Sequence, residues 1–104
     1  MTDMHYCDAT RTLTVKLSGE LDHHTVRRIR EDIDRRLFAL RPDALTLDFS
    51  GVDFMDSSGL GLILGRAECV TGLGGRLLLC GLSPRVRRLL TLSGIEKLRC
   101  VCVV

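Results

Sequence analysis

The sequence predicts an α/β fold: a mixed, mostly parallel sheet of four to five strands, with an antiparallel N-terminal edge hairpin and helices on one face. Three observations carry that prediction. Segments with an apolar period of two alternate with segments whose period is three to four, as expected of strands joined through helices. The strands mostly alternate apolar and polar residues, so one sheet face should stay partly open. Regular β–α order with right-handed crossovers then asks for strands in sequence order, without the reversal that opens the crevice of a doubly wound nucleotide-binding sheet.

Each element has its own justification. Met4 to Asp8 reads as a weak first strand, and "DATR" as the hairpin turn after it. In "RTLTVKLSGEL", Leu13, Val15 and Leu17 share one face, Thr12, Thr14 and Lys16 the other, and Gly19 is expected to break the strand. From His23 to Leu40 the apolar residues Val26, Ile29, Ile33, Leu37 and Leu40 are spaced by three and four, which makes an amphipathic helix. Arg27 with Glu31, Glu31 with Arg35 and Asp32 with Arg36 fall at i,i+4, worth roughly 0.2–0.5 kcal/mol each. That makes "RRIREDIDRR" a solvated helix face rather than a nucleic-acid surface. Pro42 disfavours helix at Arg41. "ALTLDF" is a strand with Leu45, Leu47 and Phe49 on one face, and "SGVDFMD" is expected to be a loop. The next helix should run to about Val70, with Leu60, Ile63, Leu64 and Ala67 as its buried stripe. "TGLGG" is a turn and "RLLLCGL" a strand. "SPRVRRLLTLSG" is a helix with Ser83 as N-cap, Pro84 at the first position, Val86, Leu89 and Leu90 facing inward, and Gly94 closing it before an apolar contact from Ile95. "LRCVCVV" is the final strand.

Composition narrows the possible functions. A chain of 104 residues suits one domain spanning 1–104. With no Trp and few aromatics, its core must come from Leu, Val and Ile. A formal net charge of +2 demands neither nucleic acid nor an anionic membrane as partner. No run approaches the about 18 apolar residues of a membrane span, and "MTDMHYCDAT" does not read as a signal peptide, so the cytoplasm is the expected compartment. Cys7, Cys69, Cys80, Cys100 and Cys102 are odd in number and lack CxxC spacing, which argues against a disulfide scaffold. "CVC" could bind metal, but alternate strand positions point the same way, so two buried thiols are expected there.

"FMDSSGLGLILGR", Phe54 to Arg66, is the stretch that asks for chemistry. A serine-hydrolase elbow needs a glycine two residues before its serine, which is missing, and nothing in the spacing singles out His5, His23 or His24 as a base. A phosphate loop needs Lys-Ser/Thr after its glycines, and none follows. Asp22, His23 and His24 are consecutive and diverge, so they chelate poorly. As plain structure, Asp56 or Ser57 would cap the helix, while Gly59 and Gly61 would let its first turns approach another backbone. Gly61 and Gly65 share one side and could do the same. Two hydroxyls at an exposed helix start also make an acceptor for phosphate, which adds ~1.5 to 2 negative charges. The helix N-terminus tolerates that charge. Asp56, and Asp22 at the same edge of the sheet, do not.

"GELDHHT" at 19–25, "FMDSSGLGLILGR" at 54–66 and "SPRVRRLLTLSG" at 83–94 together resemble the anti-sigma factor antagonists of the STAS-domain family, and "GELDHHT" points to its sporulation branch. The resemblance covers about Leu13 to Lys97. It implies a STAS-like domain that switches partners and is not an enzyme, without cofactor or metal. Unphosphorylated, such a protein binds an anti-sigma factor that is also a serine kinase, and so frees the sigma factor. The kinase phosphorylates the first serine of "DSSG", here Ser57 with Ser58 as fallback, and a PP2C-type phosphatase reverses the reaction. Asp22, His23, Asp56, Ser57, Ser58, Gly59 and Leu60 would form the partner surface. The free chain is expected to be a monomer. Family members often continue into a further helix, whereas this sequence stops at Val104. The rivals are a STAS regulator of another partner-switching pathway, such as the general stress response, and a small hydrolase using Ser57 or Ser58.

Overall fold

The computed structural model describes residues 2–104. Its elements follow in the order β1 (Thr2–Cys7), β2 (Thr12–Leu21), α1 (His23–Leu40), β3 (Ala44–Met55), α2 (Ser57–Gly72), β4 (Arg76–Cys80), α3 (Pro84–Ser93), a 3-10 turn (Ile95–Lys97) and β5 (Val101–Val103). The sheet order is β1-β2-β3-β4-β5, with β1 antiparallel to β2 and every other pair parallel. Apolar residues at alternate positions of β2, β3 and β4 point to one side. There they form one cluster with Ile29, Ile33 and Leu37 of α1, Leu62, Ala67 and Val70 of α2, and Val86 and Leu90 of α3. On the other side Thr14, Thr46 and Asp48 are half-buried and Lys16 is exposed. The helices therefore cover one face, as the strand alternation requires.

Two expectations fail together at the C-terminal ends of β2 and β3. Gly19 does not end β2. With φ +82°, a backbone region only glycine enters at little cost, it sits at a bulge. The register shifts between Lys16 and Ser18 and again between Gly19 and Glu20, and β2 continues to Leu21 opposite Met55. "SGVDFMD" is likewise not a loop but mostly the second half of β3. Its buried residues, Val52 and Met55, have lost the period of two, which is why the pattern misleads. Because β4 pairs with β3 only from Ala44 to Asp48, this second half is held by β2 alone and projects beyond the rest of the sheet.

Three further readings are corrected. On α1 the expected i,i+4 pairs are not among the ion pairs of the described residues, where Arg35 instead meets Asp32 at 3.6 Å, three residues apart. Such exposed partners gain little over solvation. On α2 the buried stripe is Gly59, Leu62, Ile63, Arg66, Ala67 and Val70, while Leu60 is half-buried and Leu64 is 40% exposed. Cys100 precedes the short edge strand β5 and is half-buried, and Cys102 within it is exposed, so the two are not a buried pair. All five thiols are free.

The remaining elements follow the sequence. Ser83 Oγ accepts from the Val86 N–H at 3.2 Å, Gly94 closes α3, and Ile95 is buried behind it. No helix of the described residues is long and apolar enough to cross a membrane.

Leu47 stands in the central strand with no exposed surface. Leu47→Ala is expected to cost about 2–5 kcal/mol, read as a lower urea midpoint with an unchanged slope.

Candidate partner-docking site at two helix starts

The projecting β2–β3 pair ends in two helix caps side by side. Leu21 lies opposite Met55, and the Asp56 N–H donates to the Leu21 carbonyl at 3.3 Å, so Asp22 and Asp56 follow directly on paired residues. Asp22 caps α1. Its Oδ1 accepts from the N–H groups of His24 and Thr25, each at 3.0 Å, and Thr25 Oγ1 accepts from the Asp22 N–H at 3.0 Å to complete a capping box. Thr25 Oγ1 donates in turn to the Glu20 carbonyl at 2.8 Å, which ties the cap back to the strand. The Thr25 backbone N–H, assisted by that of His24 and opposed by partial desolvation, holds the Asp22 carboxyl below the usual carboxylate range.

Asp56 caps α2, settling the choice between Asp56 and Ser57. Its Oδ1 accepts from the Ser58 N–H at 2.7 Å. Ser57 is then the first helical residue and is exposed, whereas Ser58 is half-buried. Gly59 is buried because the chain folds back on itself: a Cβ there would overlap Cγ and Sδ of Met55. Its neighbour is thus a side chain, not the expected second backbone. Gly61 and Gly65 have open space around the same position, so the close approach expected of them does not exist.

Along the chain on either side of Ser57 the charge is of one sign. From 17 to 26 and from 44 to 65 the sequence has no Lys or Arg, while Glu20, Asp22, Asp53 and Asp56 fall in these segments near the helix starts. Ser57, Gly61, Leu64 and Glu68 form the exposed stripe of α2, and Phe54 is 40% exposed just before it. Phe54 and Leu64 are the exposed apolar residues near the helix start that sequence reasoning missed. The bulge hides the phase of Phe54, and Leu64 looks like core. Of the expected surface residues, His23 is exposed at the start of α1 and Leu60 is half-buried on α2. No hydrogen bond joins a histidine ring to Ser57 or Ser58 among the described residues, where the side-chain bonds at these two helix starts are those of the caps.

Fold and site define a small α/β regulatory domain that acts through a surface. Residues 7–99 match the STAS domain family, and the chain belongs to it. It is therefore a regulatory binding protein, not an enzyme. Among relatives, it is 43% identical over 86 residues to the anti-sigma F factor antagonist of Paenibacillus polymyxa, covering 83% of this chain and 74% of that protein. It is 33% identical over 87 residues to an anti-sigma-B factor antagonist of Staphylococcus aureus, covering 81% and 77%. Among solved structures it resembles the anti-sigma factor antagonist SpoIIAA in its unphosphorylated form, with TM-score 0.83, 33% identity and coverage of 100% of this chain and 88% of that one. The phosphorylated form of the Bacillus cell fate determinant SpoIIAA matches with TM-score 0.75, 32% identity and coverage of 100% and 91%.

Two outcomes follow from the site geometry. Gly59→Ala is expected to destabilise the chain by about 1–3 kcal/mol, and by less in a Met55→Ala background, so a double-mutant cycle of urea midpoints should show coupling. For Asp22 the folded pKa is lowered, so its contribution is present above the unfolded value of about 3.9 and is lost as pH falls through the folded value. Asp22→Asn keeps an oxygen that can cap but not the charge. Its stability should fall less steeply than that of the parent over that acid window, as read by unfolding midpoints from pH 6 downward.

Proposed function

We propose that this chain is an anti-sigma factor antagonist controlled by phosphorylation of Ser57. Unphosphorylated, it binds an anti-sigma factor that is also a serine kinase, and so releases a sporulation sigma factor in the cytoplasm. The kinase passes the γ-phosphoryl of ATP to Ser57 Oγ, with release of ADP and the hydroxyl proton, and a PP2C-type phosphatase hydrolyses the ester. Asp22, His23, Asp56, Ser57, Ser58, Gly59 and Leu60 mark the docking corner, and the free chain is a monomer. One observation carries the reading: Ser57 is exposed at the first position of a helix, beside two aspartate caps, in a segment of the chain without Lys or Arg.

The switch follows from electrostatics. Docking covers the start of α2. A phosphate there adds ~1.5 to 2 negative charges that must be desolvated beside Asp22 and Asp56. The penalty is on the order of several kcal/mol unless the partner supplies cations. Among the described residues no side-chain hydrogen bond involves Ser57, so the added charge acts on docking and leaves the domain folded. The relatives support the same reading. The matched SpoIIAA occurs in unphosphorylated and phosphorylated forms, and 43% identity to an anti-sigma F factor antagonist exceeds the 33% to an anti-sigma-B factor antagonist. That second relative favours the alternative of a stress-response partner switch, which co-purification with the cognate kinase and sigma factor would distinguish.

Ser57→Ala is expected to bind the kinase and resist phosphorylation by it, while Ser57→Asp binds at least tenfold more weakly, measured by titration calorimetry and by intact and site-resolved mass. Phosphorylation of Ser57→Ala at the parent rate would refute Ser57 as the acceptor.

A further inference from the structure

The second helix carries an oddity that neither its fold nor the docking corner explains. Arg66 is 4% exposed, while Leu64, two residues earlier, is 40% exposed. Hydrophobicity alone would reverse the two. Arg66 Nε lies 2.8 Å from Asp34 Oδ1 on α1, in ion-pair contact though off the line of a hydrogen bond, and Nη2 donates weakly to Cys69 Sγ at 3.8 Å. Asp34 keeps 26% of its side-chain surface, so it is the pair's route to water.

The sequence of α2 permits a second rotation. Its observed buried side is centred on Gly59, Leu62, Ile63, Arg66, Ala67 and Val70. Leu60, Ile63, Leu64 and Ala67 form another apolar stripe, displaced by about 80° at 100° per residue. Turning α2 onto that stripe would bury Leu64 and move Arg66 toward water. It would also bring Ser58, one step of about 100° from Ser57, to the middle of the exposed side. The observed rotation buries Leu62 and Val70 where the other would bury Leu60 and Leu64, and it alone buries a charge. A buried arginine is tolerated only with its charge answered, and Asp34 supplies the answer.

We propose that the Asp34–Arg66 pair is a positioning device that sets the rotation of α2 and so decides which of the two adjacent serines faces the partner. With the pair intact, Ser57 is presented and Ser58 is turned partly inward. Without Asp34, Arg66 leaves the interface, α2 turns, and Ser58 is presented in its place. This rests on the reading of Ser57 as the phosphoacceptor only for its consequence. The rotation itself is a property of the chain.

The test has one arm without a kinase and one with it. Ser57→Cys and Ser58→Cys are each labelled with a maleimide, and the rates are read at that site by peptide mass, separately from the five native thiols. In the parent, position 57 should react at least tenfold faster than position 58. Asp34→Asn should lower that ratio at least tenfold, and adding Arg66→Met, which removes the charge that must leave, should restore it to within threefold. An unchanged ratio in folded Asp34→Asn overturns the proposal. So does a chain that unfolds without Asp34 and is rescued by Arg66→Met, since the pair would then only stabilise. In the second arm, the anti-sigma F factor of Paenibacillus polymyxa and ATP replace the maleimide, and phosphate should move from Ser57 toward Ser58 in Asp34→Asn. If neither serine of the parent is phosphorylated, the phosphoacceptor reading fails while the labelling arm still decides the rotation.

Discussion

The parallel pairing of β2 with β3, carried past two register shifts to Leu21 and Met55, is the constraint on which the rest of the molecule depends. Had β2 ended at Gly19, the first helix would start from a loop and Asp22 would not be placed against Asp56. The bulge instead lets the two strands bend and continue together beyond the end of β4. Both helices then begin at the tip of a two-stranded projection. Backbone hydrogen bonds fix the spacing of their caps.

Placing two aspartates at adjacent helix starts is favourable for each helix separately. Each carboxylate takes up otherwise unpaired N–H groups and meets the positive end of its own dipole. Side by side they place two carboxylates in segments, 17–26 and 44–65, that hold no Lys or Arg. The corner thereby becomes sensitive to added negative charge. One phosphate on an exposed first-turn hydroxyl adds little strain to the fold but alters what can dock there. The same residues serve folding through hydrogen bonds and recognition through charge, which is why a change at the surface can act without a change of fold.

Much of this was legible in the sequence. The limits of α1, the cap and stop of α3, and the strand order follow from periodicity and from Pro42, Ser83 and Gly94, whose effects are local. What failed depends on contacts between elements. The second half of β3 lost its alternation because it carries two more residues than the stretch of β2 it pairs with, and no period within "SGVDFMD" reports that. The rotation of α2 failed for a different reason. Its apolar residues cover more than one side, so a hydrophobic stripe drawn through Leu60 and Leu64 was as good as the true one until Asp34 was known to lie opposite Arg66.

The placement of Arg66 gives the two serines their meaning. A helix that begins Ser-Ser offers two hydroxyls about 100° apart, and a partner that approaches from one side meets one of them well. On a helix with two apolar stripes packing narrows that choice, as the fit of Gly59 against Met55 does, but stripes alone do not make it. A charge can: it has one stable burial geometry, opposite its counter-charge, and every other rotation leaves it either unpaired or in water. An ion pair some ten residues along α2 from the docking corner, a costly feature by the measure of stability alone, can in this way specify which atom at the helix start receives the partner.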